Sequence, residues 1–215
     1  MDALAAPVLA EVAAALAPAG IEIDDVALGN CMGPGGDVAR VAALRAGLGE
    51  RVPGVTVDRQ CGSGLDAVMQ AASRVRAGDA RLLLAGGAES ASTAPHRTWP
   101  GTGERYARAP FAPAGFPDPD MGPAADRLAA VLGISRARQD AWAARSHARA
   151  AAAQAAGVFD AELVAVGGVT RDDRPRAAMD LARLARFAPA FADHEPTDAA
   201  GGAPAARVRG RSAPS

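Results

Sequence analysis

Short apolar runs alternate with helical stripes along the first 90 residues, and glycine or proline marks the changeovers. Leu4, Val8, Leu9, Val12 and Leu16 recur at helical spacing, and Pro18-Ala-Gly20 ends that stretch. Asp25-Val-Ala-Leu-Gly29 reads as a short buried strand. Val38, Val41, Ala42 and Leu44 mark a second helix, and Gly54-Val-Thr-Val57 a second strand. Leu65, Val68, Met69, Ala72 and Val75 stripe a third helix closed by Gly78, and Arg81-Leu-Leu-Leu-Ala85 is a third strand ending in Gly86-Gly87. Parallel strands need a crossover, usually a helix, so this alternation predicts an α/β fold with a parallel sheet covered on both faces. Reactive groups in such sheets gather at the carboxyl ends of the strands.

The rest of the chain is less regular. From about Ser90 to Pro123 proline, glycine and arginine dominate, and a stretch this long without periodicity inside a compact domain is usually functional. Helices are expected from Pro123 to Leu132 and from Ser135 to Gly157, a strand at Leu163-Val-Ala-Val166, and a short helix from Met179 to Leu184. The tail from Asp193 has no periodicity and predicts disorder.

Nearly half of the 215 residues are apolar, which allows a sizeable core, but alanine supplies much of that share and buries little area per residue. A net charge of -1 leaves no electrostatic footprint for nucleic acid. No apolar run reads as long enough to span a bilayer, and no basic leader precedes the first helix. The two cysteines form no CxxC pair and sit in no metal-ligand cluster, a usage that suits a reducing, cytoplasmic setting.

Cys61 carries the strongest chemical signal. It lies between the β-branched Gly54–Val57 run and a helix that opens Gly62-Ser-Gly64. Unpaired N–H groups and the dipole at a helix N-terminus favour a negative charge, so a thiol there is a better nucleophile at neutral pH. Flanking glycines let an acyl group and the backbone come close. The pattern points to acyl transfer through a thioester. The rival reading takes Gly62-Ser-Gly64-Leu-Asp-Ala67 as a dinucleotide fingerprint, with Glu89 as the ribose-binding acid of an oxidoreductase. Against it, four residues separate the strand from the first glycine, where the fingerprint needs a tight turn.

Other residues say less. Cys31 follows Gly29-Asn30 at a strand end and reads as a packing residue before a second catalytic thiol. Gly33-Pro-Gly-Gly36 precedes a helix and could hold an anion, but it lacks the lysine of a phosphate loop and reads as a turn. His96, His147 and His194 carry no motif that would mark a catalytic base.

At this point the chain resembles the thiolase family. Val57-Asp-Arg-Gln-Cys61-Gly-Ser-Gly-Leu-Asp-Ala-Val is similar to the family's nucleophile motif. Arg76-Ala-Gly-Asp79 and Leu84-Ala-Gly-Gly-Ala-Glu-Ser-Ala-Ser92 are similar to the helix end and strand that follow it. Met121-Gly-Pro-Ala-Ala-Asp126, Gly133-Ile-Ser-Arg136 and Arg186-Phe-Ala-Pro-Ala-Phe191 are similar to its loop domain. The likeness runs over residues 3 to 191. It implies a layered α-β-α N-terminal domain, truncated, at 1–92, a largely helical loop domain at 93–192, and a disordered tail at 193–215.

The resemblance also implies the reaction. Cys61 would take an acyl group from acyl-CoA, and deprotonated acetyl-CoA would attack the thioester to give 3-ketoacyl-CoA; thiolysis by CoA is the reverse. Met121 would lie beside the acyl group and Arg176 would contact CoA. CoA thioesters would be the only cofactor-like molecules, with no metal. The setting would be lipid metabolism, including fatty acid β-oxidation. The chain departs from the family at Asp58, usually Asn, and at Asp120, where some members carry His.

Length is the larger departure. The family's first strand is expected before Leu4 and its second half after Phe191, where the sequence reads as a frameshift or misjoined end. That half would carry the histidine that activates Cys61 and a second cysteine. Because the first strand is central in the family's sheet, the strands here are expected to flank a gap. Unpaired buried backbone groups cost about 1–3 kcal/mol each, so the chain is expected to be marginally folded without a strand from another polypeptide. A homo-oligomer, or a partner chain supplying the second half, is the expected assembly. The alternative is a non-catalytic acyl-CoA-binding or assembly subunit.

Overall fold

The computed structural model describes residues 1–191. The chain divides into two compact units, 1–109 with 153–174, and 110–152 with 175–215. The boundary expected at 92–93 therefore falls inside the first unit, and the tail expectation for 193–215 lies outside the described residues.

In the first unit, α1 (Asp2–Leu16) runs into a 3-10 turn and stops at Gly20, whose φ of 65° suits glycine. Then follow β1 (Asp25–Gly29), α2 (Val38–Arg45), β2 (Gly54–Val57), α3 (Ser63–Ala77) and β3 (Leu83–Gly87). The three strands form one parallel sheet in the order β2-β1-β3. The expected gap is not there. β1 pairs with β3 along its whole length, from Asp25 opposite Leu83 to Gly29 opposite Gly87. The pairing starts early: the Asp24 carboxylate accepts from the Arg81 and Leu82 amides, and Asp24 N–H donates to Leu82 C=O. With that ladder closed, the physical basis for expecting a marginal fold is removed.

The layering follows from handedness. β1-α2-β2 steps one way across the sheet and β2-α3-β3 steps back past β1, so right-handed crossovers put α2 and α3 on opposite faces. Strand alternation agrees. Val26 and Leu28 join Leu84 in a core with Ala5, Leu9, Ala39, Ala42 and Ala43 of α1 and α2. Asp25, Ala27 and Gly29 are directed to α3, where Asp25 is ion-paired with Arg74. Asp37 caps α2 by accepting from Arg40 N–H, and Thr56 of β2 ties into the same cap through Asp37 and the Ala39 amide.

The helices pack through their small residues. The residues that recur at helical spacing divide: Leu9, Val38 and Ala42 are buried, whereas Leu4, Val8, Val12, Val41, Leu44, Leu65, Val68, Met69 and Val75 are exposed. The buried positions are Ala5, Ala6 and Leu9 in α1, Val38, Ala39, Ala42 and Ala43 in α2, and Ser63, Ala67 and Ala71 in α3. Small side chains allow close approach, so the alanine face wins the interior. One further expectation is corrected: the 18 residues Asp2–Ala19 are long and apolar enough to cross a membrane by length and composition. The buried side of that helix, Ala5 and Leu9, belongs to the core shared with α2.

The first unit continues into segments read as patternless. β4 (Arg97–Thr98) and β5 (Arg105–Tyr106) form an antiparallel pair, with Trp99 and Tyr106 stacked at 4.6 Å. The strand expected at Leu163–Val166 is absent. In its place Val166 and Val169 exchange both backbone hydrogen bonds around Gly167 and Gly168, which have φ of 58° and 80° and make a tight two-residue turn.

The second unit is helical. α4 (Met121–Val131) and α5 (Arg136–Ala155) are joined by a turn through Gly133, and α5's last residues, 153–155, belong to the first unit. α6 (Leu181–Leu184) is capped by Asp180, which accepts from Arg183 N–H. Arg136 pairs with Asp140 at 2.7 Å and donates to Leu184 C=O and Phe187 C=O, fastening the start of α5 to the end of α6.

The sheet rests on a backbone contact that can be tested. A methyl group on Gly29 would overlap the Ser63–Gly64 peptide, while one on Gly86 meets open space. Gly29→Ala is expected to cost about 1–3 kcal/mol or more, and Gly86→Ala within about 0.5 kcal/mol. Thermal unfolding of the two variants checks this; equal midpoints would remove the contact's importance.

Candidate functional site: the Cys61 turn

β2 ends at Val57, and the chain turns through residues 58–62 into α3. Gln60 has φ of 51°, in the left-handed region, where a non-glycine residue costs on the order of 1–3 kcal/mol and persists only when its surroundings fix it. They do. The Asp58 carboxylate accepts from Gln60 N–H at 3.0 Å, Gly62 N–H donates to Arg59 C=O, and Ser63 N–H donates to Gln60 C=O. Ser63 is buried, and its hydroxyl accepts from Arg59 N–H at 2.8 Å and donates to Gln60 C=O at 2.6 Å. Arg59 also pairs with Asp66 of α3 at 3.3 Å.

This braced turn presents Cys61 as an exposed free thiol one residue ahead of Gly62, the N-cap of α3. The turn spends the amides of Gln60, Gly62 and Ser63; the Cys61 amide is not among them. Gly64 lies where a Cβ would meet Gly86 and Gly87, and Gly29 and Gly87 close on it from the two strand ends. The clearance for this helix-on-sheet packing comes from Gly29 and Gly87, where a Cβ would press on Gly64, while a Cβ on Gly64 itself would meet ordinary contacts.

A second cluster occupies the same end of the sheet. Asn30 N–H donates to Val57 C=O, continuing the β1–β2 ladder. Its side-chain amide donates to Ala88 C=O and to Glu89, and its oxygen accepts from Gly33 N–H. One Glu89 carboxylate oxygen accepts from Cys31 N–H at 2.9 Å, Met32 N–H at 3.0 Å and the Cys31 thiol at 3.1 Å; the other accepts from Ser90 N–H. Arg97 donates to Cys31 C=O. Burial acts to raise the Glu89 pKa, but the hydrogen bonds from Cys31, Met32 and Ser90 outweigh it and hold the carboxyl below its ordinary value. Partial burial, followed by the hydrogen bond and charge of Glu89, pushes the Cys31 thiol up to about 11.

These contacts decide two open readings. Glu89 is engaged by Asn30, Cys31 and Met32, so the dinucleotide reading loses the acid it needs for the ribose. At Gly33–Gly36 the helix N-terminus behind the loop is filled by the chain's own Asp37.

Met121 and Arg176 belong to the second unit, apart from Cys61 in the first. Met121 opens α4 and is exposed, directly after Asp120, the N-cap. Arg176 N–H donates to Nδ1 of His147 on α5 at 3.3 Å. His194 lies outside the described residues. Among the described residues no group of three or more His, Cys, Asp or Glu side chains could hold a metal. Sequence reasoning missed the Asn30–Glu89 cluster and the brace by Ser63. Strand register would have found the first, because Gly29 opposite Gly87 places Asn30 beside Ala88 and Glu89.

A parallel sheet with helices packed on it and an exposed cysteine at a strand-to-helix turn defines an α/β protein with a free thiol at its sheet's carboxyl end. The chain belongs to the thiolase family: residues 2–206 match the family described as "Thiolase, N-terminal domain", beyond the limit of 191 read from the sequence. It is 45% identical over 152 residues to the Bacillus subtilis protein named "Putative acetyl-CoA C-acetyltransferase YhfS", covering 71% of this chain and 39% of that protein. It is 47% identical over 133 residues to the VraB protein of Staphylococcus aureus strain MRSA252, which has the same enzymatic description, covering 59% and 35%. The crystal structure of the Bacillus anthracis acetyl-CoA acetyltransferase superposes with a TM-score of 0.78 at 32% identity, over 88% of this chain and 53% of that one. The chain thus spans less than half the length of these curated relatives.

The Glu89 cluster has a pH signature. Because its folded pKa lies below the ordinary 4.5, the stability it contributes is present above that value and lost as pH falls through the lower folded one. The Cys31 and Met32 amide resonances are expected to titrate together with a midpoint below 4.5. A midpoint at or above it would show that these hydrogen bonds do not form.

Proposed function

We propose that this chain carries the acyl-accepting site of a thiolase-type acyltransferase, with Cys61 as nucleophile. One observation carries the reading: an exposed thiol one residue ahead of the α3 N-cap, on a turn whose hydrogen bonds leave the Cys61 amide unspent. The Cys61 thiolate attacks the carbonyl carbon of an acyl-CoA. The tetrahedral oxyanion takes a hydrogen bond from the Cys61 N–H, and the CoA thiolate leaves as the thioester forms. Acetyl-CoA deprotonated at its methyl then attacks the thioester carbonyl, the Cys61 thiolate leaves, and 3-ketoacyl-CoA is formed; in the reverse direction Cys61 attacks the 3-keto carbon, acetyl-CoA leaves as its carbanion and is protonated, and CoA takes the acyl group from Cys61.

Met121 contributes to the acyl site and Arg176 to CoA binding in this reading. Its closest support is the description of the relatives as acetyl-CoA acetyltransferases. The base that deprotonates Cys61 comes from a further segment or partner chain, since the relatives extend well past the matched region. We place the reaction in cytoplasmic lipid metabolism, with CoA thioesters as the sole small-molecule requirement.

Mass spectrometry after incubation with acetyl-CoA tests this. The wild-type chain is expected to gain one acetyl group, mapped to Cys61, and Cys61→Ala to gain none. An adduct elsewhere, or none on folded protein, would defeat the nucleophile assignment. CoA binding without any adduct would favour a non-catalytic acyl-CoA-binding subunit.

A further inference from the structure

Two thiols stand at the same end of the sheet, and an acyl-transfer site with two competent cysteines would divide the acyl group between them. Cys31 follows the end of β1 and Cys61 follows the end of β2, with Asn30 N–H bonded to Val57 C=O between the two chains. Their surroundings differ. Cys61 is exposed at a helix N-terminus, whereas the Cys31 thiol is hydrogen-bonded to a carboxylate that also gathers the Cys31 and Met32 amides.

We infer that Glu89 is a selectivity-determining residue: it holds Cys31 as a neutral, unreactive thiol and so confines acyl transfer to Cys61. The carboxylate is itself stabilised by three backbone amides and the Asn30 side chain, so it stays charged and stays in place. A fixed negative charge 3.1 Å from the sulfur opposes thiolate formation directly. Partial burial is the largest influence that raises this thiol, the hydrogen bond and charge of Glu89 come next, and the Asp58 carboxylate and the Cys61 sulfur add to them. Arg97, the nearby cation, is spent on the Cys31 carbonyl. A thiol raised from 9.0 to about 11 has about 100-fold less thiolate at neutral pH. The same carboxylate fixes the 30–33 loop alongside the Cys61 turn, so Glu89 acts on the site through position as well as charge.

The inference rests on Cys61 being the acyl acceptor, but its test does not require turnover. The full chain is pulsed with iodoacetamide across a pH series, and each cysteine is followed by peptide mapping. The expected result is labelling of Cys61 ahead of Cys31 near neutral pH, with Cys31 labelling about 100-fold slower than an ordinary thiol's and rising to half its maximum near pH 11. In Glu89→Gln, which keeps an acceptor and removes the charge, Cys31 labelling at neutral pH is expected to rise several-fold, with burial still holding it below an ordinary thiol's. Circular dichroism checks that this variant folds; if it does not, the wild-type pH profile decides alone. Equal labelling of both cysteines in the wild type, a Cys31 midpoint near 9, or a folded Glu89→Gln protein with unchanged Cys31 reactivity would each overturn the inference. Failure of Cys61 to acetylate with Cys31 still protected would count against the proposed function only.

Discussion

The approach of backbone to backbone at Gly29, Gly64 and Gly87 governs the first unit. A helix can set its first turn directly on two parallel strand ends only if no Cβ stands between them, and Gly29 and Gly87 supply that clearance against the Gly64 backbone. Everything chemical at this end of the sheet follows from it. The N-terminus of α3 is brought against the strand ends, the turn before it is forced through a left-handed residue at Gln60, and Ser63 is buried where its hydroxyl can brace that turn. Cys61 is thereby held outside the packed layer while the groups around it stay ordered.

Charge is distributed at that end as deliberately as volume. Asp58 takes the Gln60 amide, Asp66 takes Arg59, and Glu89 takes the loop after β1. Each carboxylate is assigned to backbone or to an arginine, which keeps polar groups at the strand ends satisfied. The electrostatic difference between the two cysteines arises from this arrangement of neighbours and not from their depth alone.

Much of the first unit was legible in the sequence because its strands are continuous apolar runs with glycine at their ends: β1 and β2 begin and end where those runs do, and Gly78 closes α3 with φ of 81°. β3 starts two residues later than its run, since Arg81 and Leu82 are taken up by Asp24. What periodicity could not show was which helical face goes inward. In α1 and α3 large apolar residues and alanines occupy neighbouring stripes, and pattern alone favours the larger side chains, while close approach favours alanine. The site was half legible. A cysteine before glycines points to a nucleophile without any structure, but the pairing of Asn30 with Glu89, 59 residues apart, depends on strand register. The strand expected at Leu163–Val166 failed for a related reason: an apolar run becomes a strand only when it has a partner, and Gly167 and Gly168 turn this one back on itself.

Helix faces that meet the sheet through alanine set an upper bound on what evolution can write there. In a core of leucine and phenylalanine the common injury is truncation, which opens cavities. Here Ala39, Ala42, Ala43 and Ala67 are fully buried with almost nothing to remove, and added methylene groups would push helices off the sheet. The tolerated variation is therefore one-sided. Inner alanine positions can drift only between the smallest residues, so in this unit the tightest constraint falls on side chains that contribute the least apolar area.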